Sequence, residues 1–225
     1  MGLACLNLLL VFLCVVMDST LLPDWLIEAP HGRVRISCRS VVLRIYSCSC
    51  CLTGKVDHTV LLRSDGSAVA WGCNRSGQCN IPDLVESVTY TQVDTGYDHT
   101  VLLASDGTAV ACGGNYDGQC NVPALSDGVI YTQVAIGGGN TFLLKSNGTV
   151  VACGRDWCGQ CNIPILPDGV VYDQVAAGST HTVLLKSDGT VTTCGKNDRG
   201  QCNIPTLATV SFTHMSPQVM VTRYC

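Results

Sequence analysis

The 225-residue chain contains little charge: only 13% of its residues are Asp, Glu, Lys or Arg, and its net charge at pH 7 is −4. The Lys and Arg residues are scattered, and no basic run occurs. Direct binding of DNA or RNA relies on a basic face and usually on a high isoelectric point, whereas the isoelectric point here is about 5.6. The composition therefore argues against direct nucleic-acid binding.

The chain also lacks the spacing of apolar residues that an amphipathic helix requires. It contains no G-x-S-x-G nucleophile motif, no phosphate-binding loop and no H-E-x-x-H zinc motif. The sequence therefore indicates no catalytic residue and no cofactor, and we predict that the protein is not an enzyme.

Residues 2–17 are almost wholly apolar but lack several features of a targeting segment. No Lys or Arg precedes them, Asn7 interrupts them, and no A-x-A-like cleavage site follows. They are also shorter than the roughly 20 residues of a membrane-spanning helix. A cytoplasmic or nuclear location is favoured, and secretion or membrane anchoring follows only if this segment acts as a signal or anchor.

One segment recurs four times, beginning at residues 58, 99, 140 and 181, so that each copy follows the previous one by 41 residues without insertion. A fixed period of roughly 20 to 50 residues indicates a solenoid, a propeller or another repeat array. The repeats divide the chain into an apolar leader with an unassigned segment (1–53), a repeat array (54–206) and a divergent tail (207–225).

Each repeat predicts β structure. In the first, we expect strands at 58–63, 68–71 and 88–93, with a short fourth strand at 81–84. Asp65-Gly66 is a strong hairpin signal, and the same turn position holds Gly107, Gly148 and Gly189. Four β units of equal length predict an all-β, propeller-type array of four blades. The ring can be closed, partial or open, and two open arcs could pair as a dimer.

Sixteen cysteines occur, and their placement favours packing over disulfide bonding. Seven of them occupy two fixed repeat positions: Cys112, Cys153 and Cys194 at one, and Cys79, Cys120, Cys161 and Cys202 at the other. Cys153, Cys158 and Cys161 have a zinc-like spacing, but zinc sites commonly use four ligands and two of these thiols follow the repeat. We predict no metal site. The run at 48–51 could be a redox or palmitoylation site.

Three histidines, His58, His99 and His181, share one repeat position, where the remaining repeat has Asn140. A ring of imidazoles could bind metal or carry protons. Because an amide takes the same place, we favour a structural role in which each ring binds a buried backbone group. A structural role is also predicted for the repeated glutamines Gln78, Gln119, Gln160 and Gln201.

The loop pattern N-x-x-G is the most informative candidate site. Its flanks stay nearly constant while its middle pair changes; the pairs are Arg75-Ser76, Tyr116-Asp117, Trp157-Cys158 and Asp198-Arg199. In a propeller these loops should emerge on one face. Tyr, Trp and Arg are enriched in protein-binding hot spots, so we predict a partner-binding site, with ordinary loop drift as the alternative. Two further pairs, Tyr97-Asp98 and Ser179-Thr180, vary similarly.

These motifs resemble the regulator of chromosome condensation repeat family, whose signature is G-x-x-H-[ST], a strand, DG, a strand ending in WG, and N-x-x-GQ. The matching residues of the second repeat are 96–100, Asp106-Gly107, Gly113, Asn115 and Gly118-Gln119. The resemblance implies a β-propeller, normally of seven blades. The short repeat and its "GQCNIP" ending are most similar to the compact form in bacterial propellers that inhibit β-lactamases. This chain has only four clear repeats, and Cys replaces the usual Trp in three of them.

The resemblance implies a non-enzymatic propeller that binds another protein, such as the recognition module of a propeller-bearing ubiquitin ligase. One alternative is a guanine-nucleotide exchange factor for a small GTPase. That activity predicts a protruding insertion, which repeats of equal length do not offer. Another alternative is an inhibitor of a secreted enzyme, which requires residues 2–17 to be a signal.

Overall fold

The computed structural model describes residues 58–205 without a break, together with three strands that precede them. All regular secondary structure in these residues is β-strand, in agreement with the all-β prediction. The strands are β1 (Leu26–Glu28), β2 (Val34–Cys38), β3 (Val41–Ser47), β4 (His58–Leu62), β5 (Ala68–Gly72), β6 (Tyr90–Thr95), β7 (His99–Ala104), β8 (Ala109–Gly113), β9 (Tyr131–Ile136), β10 (Asn140–Lys145), β11 (Val150–Gly154), β12 (Tyr172–Ala177), β13 (His181–Lys186) and β14 (Val191–Gly195).

The strands form four antiparallel sheets, which we number as blades 1 to 4. Blade 1 has the strand order β1-β2-β3-β4-β5, and the later blades are β6-β7-β8, β9-β10-β11 and β12-β13-β14. Successive blades pack in chain order, with β4 against β6, β6 and β7 against β9, and β9 and β10 against β12. The repeat therefore builds the propeller-type array that its period predicts.

The blade boundary differs from the repeat boundary read from the sequence. The strand expected at 88–93, at the end of the first repeat, is β6 and begins two residues later, at Tyr90. It pairs with β7 and therefore opens the next blade. Blade 3 is arranged in the same way, because β9 pairs with β10. The first residue of β9, Tyr131, also donates its backbone N–H to the Gly107 carbonyl of the blade 2 hairpin at 2.8 Å. Each of the first three repeats thus gives two strands to one blade and one strand to the following blade.

A two-residue turn closes the hairpin between the last two strands of each blade; it is Asp-Gly in blades 1, 2 and 4 and Asn147-Gly148 in blade 3. In blade 2, Asp106 Oδ1 accepts hydrogen bonds from the backbone N–H of Thr108 at 2.9 Å and from its hydroxyl at 2.7 Å. Gly107 has φ = 81°, a left-handed value that glycine adopts without steric cost. The same turn recurs in the other blades, so this local prediction agrees with the structure.

The hydrophobic core lies between neighbouring blades. At the first junction, Val60 and Leu62 of blade 1 pack with Tyr90, Val93 and Leu102 of blade 2. Equivalent clusters fill the next two junctions. Since the buried apolar groups belong to two blades at once, one blade cannot bury its faces alone.

Glutamine side chains add polar clamps across the junctions. Gln92 Nε2 donates to the Val134 carbonyl at 2.8 Å, and the Val134 N–H donates to Gln92 Oε1 at 3.1 Å. Gln133 makes the same pair of hydrogen bonds with Val175, at 2.9 and 3.0 Å. Each clamp satisfies buried backbone groups of the next blade and fixes its register.

The prediction of a short strand at 81–84 is wrong, because these residues form no strand. Pro82 has no N–H to give to a ladder, and its carbonyl accepts a hydrogen bond from the Tyr90 hydroxyl at 2.6 Å. The equivalent prolines, Pro123 and Pro164, accept from Tyr131 and Tyr172. The segment after each N-x-x-G loop is therefore fastened to the next blade through a tyrosine.

The predicted leader contributes strands to blade 1, since β3 pairs with β4. The boundary at residue 53 stays a prediction. The apolar run 2–17, the cysteine run 48–51 and the tail 207–225 lie outside the described residues. Within the part of the chain that is described, no helix is long and apolar enough to cross a membrane.

Candidate functional site

The two ends of the blades carry different loops. The Asp-Gly turns and the Asn147-Gly148 turn lie at one end. At the other end of blades 2 to 4, the loop between the first two strands meets the start of the N-x-x-G loop. Three backbone hydrogen bonds join them: Gly114 N–H to the Asp98 carbonyl at 2.7 Å, Arg155 N–H to the Gly139 carbonyl at 2.8 Å and Lys196 N–H to the Thr180 carbonyl at 2.8 Å. We call this end the loop face; it comprises residues 96–98 and 114–121 of blade 2, their equivalents in blades 3 and 4, and residues 73–80 of blade 1.

Each N-x-x-G loop is fixed by its constant residues. In blade 2, Asn115 Oδ1 accepts from the Cys120 N–H at 2.9 Å, and Asn115 Nδ2 donates to Asn121 Oδ1 at 2.8 Å. Gln119 Oε1 accepts from the Asp117 N–H at 2.9 Å, and Gly118 has φ = 81°. The constant positions therefore hold the loop backbone; in blade 4 the variable residue Asp198 adds a side-chain bond, because its Oδ1 accepts from Gln201 Nε2 at 3.2 Å.

The same glutamine bond recurs in the other blades. Gln78, Gln160 and Gln201 accept from the N–H groups of Ser76, Cys158 and Arg199 at 3.0, 2.9 and 2.9 Å, respectively. In blade 3 the leading residue is Asp156, whose Oδ1 accepts from the Cys161 N–H at 2.7 Å. A carboxylate has no N–H to donate, so blade 3 keeps only the accepting half of the asparagine motif.

The eight predicted contact residues differ in exposure. Tyr116 and Trp157 are 86% and 78% exposed, respectively. Arg75, Asp198 and Arg199 are also exposed, while Ser76, Asp117 and Cys158 are partly buried. The loop face thus presents two large aromatic rings on neighbouring blades, with charged side chains on the blades that flank them.

Arg155 is a loop-face residue that sequence reasoning missed. Its Nε and Nη2 atoms lie 3.0 and 2.9 Å from Asp117 Oδ2, across the junction between blades 2 and 3. Its guanidinium carbon lies 4.3 Å from the centroid of the Trp157 ring. The equivalent positions hold Cys73, Gly114 and Lys196. The one available signal was an Arg at a position where two other repeats have a small residue.

Two other loop-face residues are engaged locally. Lys196 Nζ lies 3.0 Å from Asp198 Oδ2 within blade 4. Tyr97 donates its backbone N–H to the Gly138 carbonyl at 2.8 Å, and its ring lies where a Cβ on Gly138 would clash with it. The Tyr97 ring therefore packs on the backbone of the next blade and is only partly exposed.

The prediction that the repeated histidines bind backbone groups is wrong for His58 and His99, because each of these rings binds a threonine hydroxyl. His58 Nε2 lies 2.9 Å from Thr100 Oγ1, and His99 Nε2 lies 3.0 Å from Thr141 Oγ1, each in the next blade. Burial lowers the pKa of His58, and it lowers the pKa of His99 to about 3. Asp98 Oδ1 is 3.9 Å from His99 Nδ1, too far for a hydrogen bond. These rings are neutral junction residues at pH 7.

The repeat cysteines contact backbone carbonyls. Cys153 Sγ lies 3.6 Å from the Gln119 carbonyl, and Cys161 Sγ lies 3.4 Å from the Arg155 carbonyl. Burial raises the pKa of Cys153 to about 11 and that of Cys161 to about 12. Among the described residues, no three His, Cys, Asp or Glu side chains are grouped as metal ligands.

A family model described as the regulator of chromosome condensation (RCC1) repeat matches residues 49–78, 90–119 and 172–201. The matched windows begin 41 and 82 residues apart (90 − 49 and 172 − 90), so they share one register of the repeat. The equivalent window of blade 3 contains Asn140 and Asn147, where the other three repeats have His and Asp. No curated protein sequence matches the chain.

Solved structures with the same fold come from distant organisms. Prp20p from Saccharomyces cerevisiae has a TM-score of 0.55 at 23% identity, and the alignment covers 71% of this chain and 46% of the Prp20p chain. Human WBSCR16 has a TM-score of 0.52 at 24% identity, covering 61% and 44% of the two chains. The receptor kinase CR4 ectodomain from Physcomitrella patens has a TM-score of 0.54 at 15% identity, covering 68% and 42%. The chain spans less than half the length of each.

Proposed function

We propose that this chain, in which three repeats match the regulator of chromosome condensation repeat, is a non-enzymatic module that binds another protein through its loop face. The proposed contact residues are the variable pairs of the N-x-x-G loops: Arg75, Ser76, Tyr116, Asp117, Trp157, Cys158, Asp198 and Arg199. The blades hold these loops at fixed spacing, so little conformational freedom is lost when a partner binds.

One observation carries the proposal: Trp157 is 78% exposed yet held in place. Arg155 stacks on its ring at 4.3 Å, and the Arg155 guanidinium is itself held by Asp117 at 2.9 Å. A large aromatic side chain that is exposed and already ordered is suited to be an interface anchor. Tyr116, adjacent to Asp117, adds a second exposed ring.

The fold supports a protein as the partner. The structure of Prp20p is described together with its binding to Gsp1p and histones, and yeast RCC1 (Prp20) has been solved bound to Kap60. We propose by analogy that this chain recognises a partner or substrate, as the propellers of some ubiquitin ligases do. The loop face carries both acidic and basic residues, so recognition rests on the aromatic anchors and not on net charge.

Nucleotide exchange on a small GTPase is the second candidate. Prp20p shares the fold, and its structure is described together with its binding to Gsp1p. Against this candidate, the repeats between residues 58 and 205 have equal length and add no protruding insertion. Inhibition of a secreted enzyme is a third reading, which depends on residues 2–17 acting as a signal.

The test is affinity capture with the full chain as bait, followed by mass spectrometry. The variant bait carries Arg75→Ala, Tyr116→Ala, Trp157→Ala and Arg199→Ala together. The matched control replaces apolar side chains away from the loop face, Val85 and Ile165, which are 72% and 99% exposed, by Ala. We expect a partner that the wild-type and control baits capture and the variant bait loses.

The identity of that partner separates the candidates. A small GTPase released from its nucleotide by the wild-type chain would support exchange, and a ubiquitin-ligase subunit would support substrate recognition. With the purified partner, Trp157→Ala should weaken binding by about 30-fold, or roughly 2 kcal/mol, and Ser76→Ala by less than about threefold. Equal capture by all three baits would place the binding site elsewhere on the chain.

A further inference from the structure

Every blade has two faces of different chemistry. The leading face packs on the preceding blade and carries a threonine: Thr100, Thr141 and Thr182 each donate a hydroxyl hydrogen to the carbonyl of a glutamine in that blade. The trailing face packs on the following blade and carries the histidine or its Asn140 equivalent. Each internal junction joins one trailing face to one leading face.

The leading face is buried wherever a blade precedes it. Thr100, Thr141 and Thr182 have 0% exposure, and so do the leucines two positions further on, Leu102, Leu143 and Leu184. In blade 1 the equivalent residues are Thr59 and Leu61, and both are partly exposed. The leading face of blade 1 is therefore less covered than its three counterparts.

The trailing face shows the complementary pattern at the other end of the array. His58, His99 and Asn140 are 1%, 0% and 0% exposed, whereas His181 of blade 4 is partly exposed. Val183 and Leu185 are also partly exposed, although their equivalents in the first three blades are at most 6% exposed; these are Val60, Leu62, Val101, Leu103, Phe142 and Leu144. Gln201 likewise is partly exposed, while the other three repeat glutamines are buried.

The two exposed end faces are therefore the two halves of a junction that the chain already builds three times. In the internal junctions, a trailing residue packs with a leading leucine: Val60 with Leu102, Val101 with Leu143 and Phe142 with Leu184. By the same register Val183 matches Leu61, and His181 matches Thr59. The Thr59 hydroxyl would then donate to the Gln201 carbonyl, as Thr182 does to Gln160 at 2.9 Å.

We propose that the trailing face of blade 4 docks on the leading face of blade 1 of a second copy of this chain. Two copies joined at both ends form one closed ring. The occupant is a second copy because the chain carries both halves of the same junction on partly exposed faces, Thr59 and Leu61 at one end of the array and His181 and Val183 at the other. Eight blades need a rotation of about 45° per blade, within the range of known propellers.

This junction is heterologous, since different surfaces of the two copies meet, and it closes because the two copies share two equivalent junctions. It leaves the variable pairs of the loop face free, because its apolar contacts lie on the flanks of the blades. A dimer would place two loop faces on one side of the ring.

The first test is the mass of the full chain in reducing buffer, by sedimentation velocity over a range of concentrations. We expect twice the chain mass of 23.8 kDa. Leu61→Lys and Val183→Glu should each weaken dimerisation by at least about 100-fold, because each leaves an unpaired charge in both junctions of a homodimer. Ile165→Lys, on a side chain that is 99% exposed, is the matched control and should dimerise like wild type.

Mixing the two variants gives the decisive result. The mixed dimer contains one wild-type junction and one junction with a Lys-Glu pair, so the mixture should dimerise at concentrations where each variant alone is monomeric. Dimers that do not form on mixing would overturn the head-to-tail arrangement. A wild-type chain that is monomeric at all concentrations would also overturn it, and would mean that the end faces are covered from within one chain.

Folding of the variants is checked by circular dichroism and thermal unfolding at concentrations where all samples are monomeric. If either charged variant unfolds, the milder pair Thr59→Val and His181→Ala replaces it. These changes remove the hydrogen-bonding groups of the proposed junction without adding charge, and each should weaken dimerisation by about tenfold or more. No effect from the milder pair in folded protein would contradict the proposed contact.

Discussion

The Nε2 atom of His58 lies 2.9 Å from the hydroxyl oxygen of Thr100 in the next blade. That hydroxyl donates to the Gln78 carbonyl at 2.8 Å, so its one hydrogen is already used. The imidazole must therefore carry its hydrogen on Nε2 and donate it to Thr100. The same arrangement links His99 to Thr141. The array uses histidine as a neutral donor, and a second proton on the ring would place a charge inside a junction.

Stability should therefore fall as the pH is lowered. The pKa of His99 is lowered by burial to about 3 from an ordinary value of 6.5, and that of His58 is lowered as well. The unfolded chain thus binds more protons than the folded chain between pH 6.5 and 3. The stabilisation is present above about pH 6.5 and is lost progressively below it, with a slope of about 1.4 kcal/mol per pH unit from His99; the lowered pKa of His58 acts in the same direction. Urea unfolding at pH 7, 6 and 5 measures this loss.

The variant His99→Asn tests the origin of that slope, since the chain already uses Asn140 at the same position in blade 3. Between pH 6 and 5 the slope should fall by the contribution of one histidine, while stability at pH 7 stays close to that of wild type. The change Ile165→Ala, on an uncharged side chain that is 99% exposed, is the control and should leave the slope unchanged. An unchanged slope in His99→Asn would assign the acid sensitivity to other groups.

Thr100→Val should destabilise the protein by about 2 to 3 kcal/mol. The substitution leaves the Nε2–H of His58 and the carbonyl of Gln78 without their partner in a buried junction. Thr59→Val is the matched control, because Thr59 occupies the same repeat position on a partly exposed face. Measured by urea unfolding below the dimerisation concentration, the control should change stability by less than about 0.5 kcal/mol. Equal losses at both sites would show that the junction bond contributes little.

Gly107→Ala and Gly189→Ala isolate the contact between a hairpin turn and the following blade. Both glycines occupy the same turn position, with φ of 81° and 79°. A Cβ at Gly107 would clash with the Ile130 side chain, whereas a Cβ at Gly189 meets nothing within 4 Å. Both variants should lose about 1 kcal/mol to backbone strain, and Gly107→Ala should lose a further 1 to 3 kcal/mol, roughly, to overpacking. Equal thermal unfolding of the two variants would contradict the clash.

The repeat cysteines should react slowly with alkylating reagents in the folded protein. Burial raises the pKa of Cys112 to about 12 and that of Cys120 to about 11, and only the thiolate is nucleophilic. At pH 8 we expect labelling of these thiols with iodoacetamide to be at least about 100-fold slower than in urea. Peptide mass spectrometry reads each site separately. Equal rates in the two conditions would mean that the junctions open readily.

Local motifs allowed the turns and loop scaffolds to be predicted from the sequence. Asp106-Gly107 is a hairpin because of its own side-chain bonds and its left-handed glycine. The Asn115 loop is held by residues within six positions of it. Interactions of this range are visible as motifs, so the array and the position of its variable pairs followed from the repeat alone.

Contacts between blades could not be predicted in the same way. The bond between Arg155 and Asp117 joins residues 38 positions apart, and one sequence holds no record of which side chain meets which. The blade boundary before Tyr90 could not be predicted for the same reason, because the sequence of a strand does not show whether it pairs with the preceding or the following strand. The role of the histidines was anticipated only in part, since their threonine partners lie in the next repeat.

Two kinds of hydrogen bond that cross a junction join residues 42 positions apart. One is the histidine–threonine bond, as from His58 to Thr100, and the other is the glutamine–backbone bond, as from Gln133 to Val175. The sequence period is 41, so each donor reaches the position just after its own equivalent. A deletion or duplication of one full period therefore joins a donor to the same kind of acceptor, wherever within the repeat the cut falls. Genes for such arrays can gain or lose blades by unequal recombination without the need to invent a new contact.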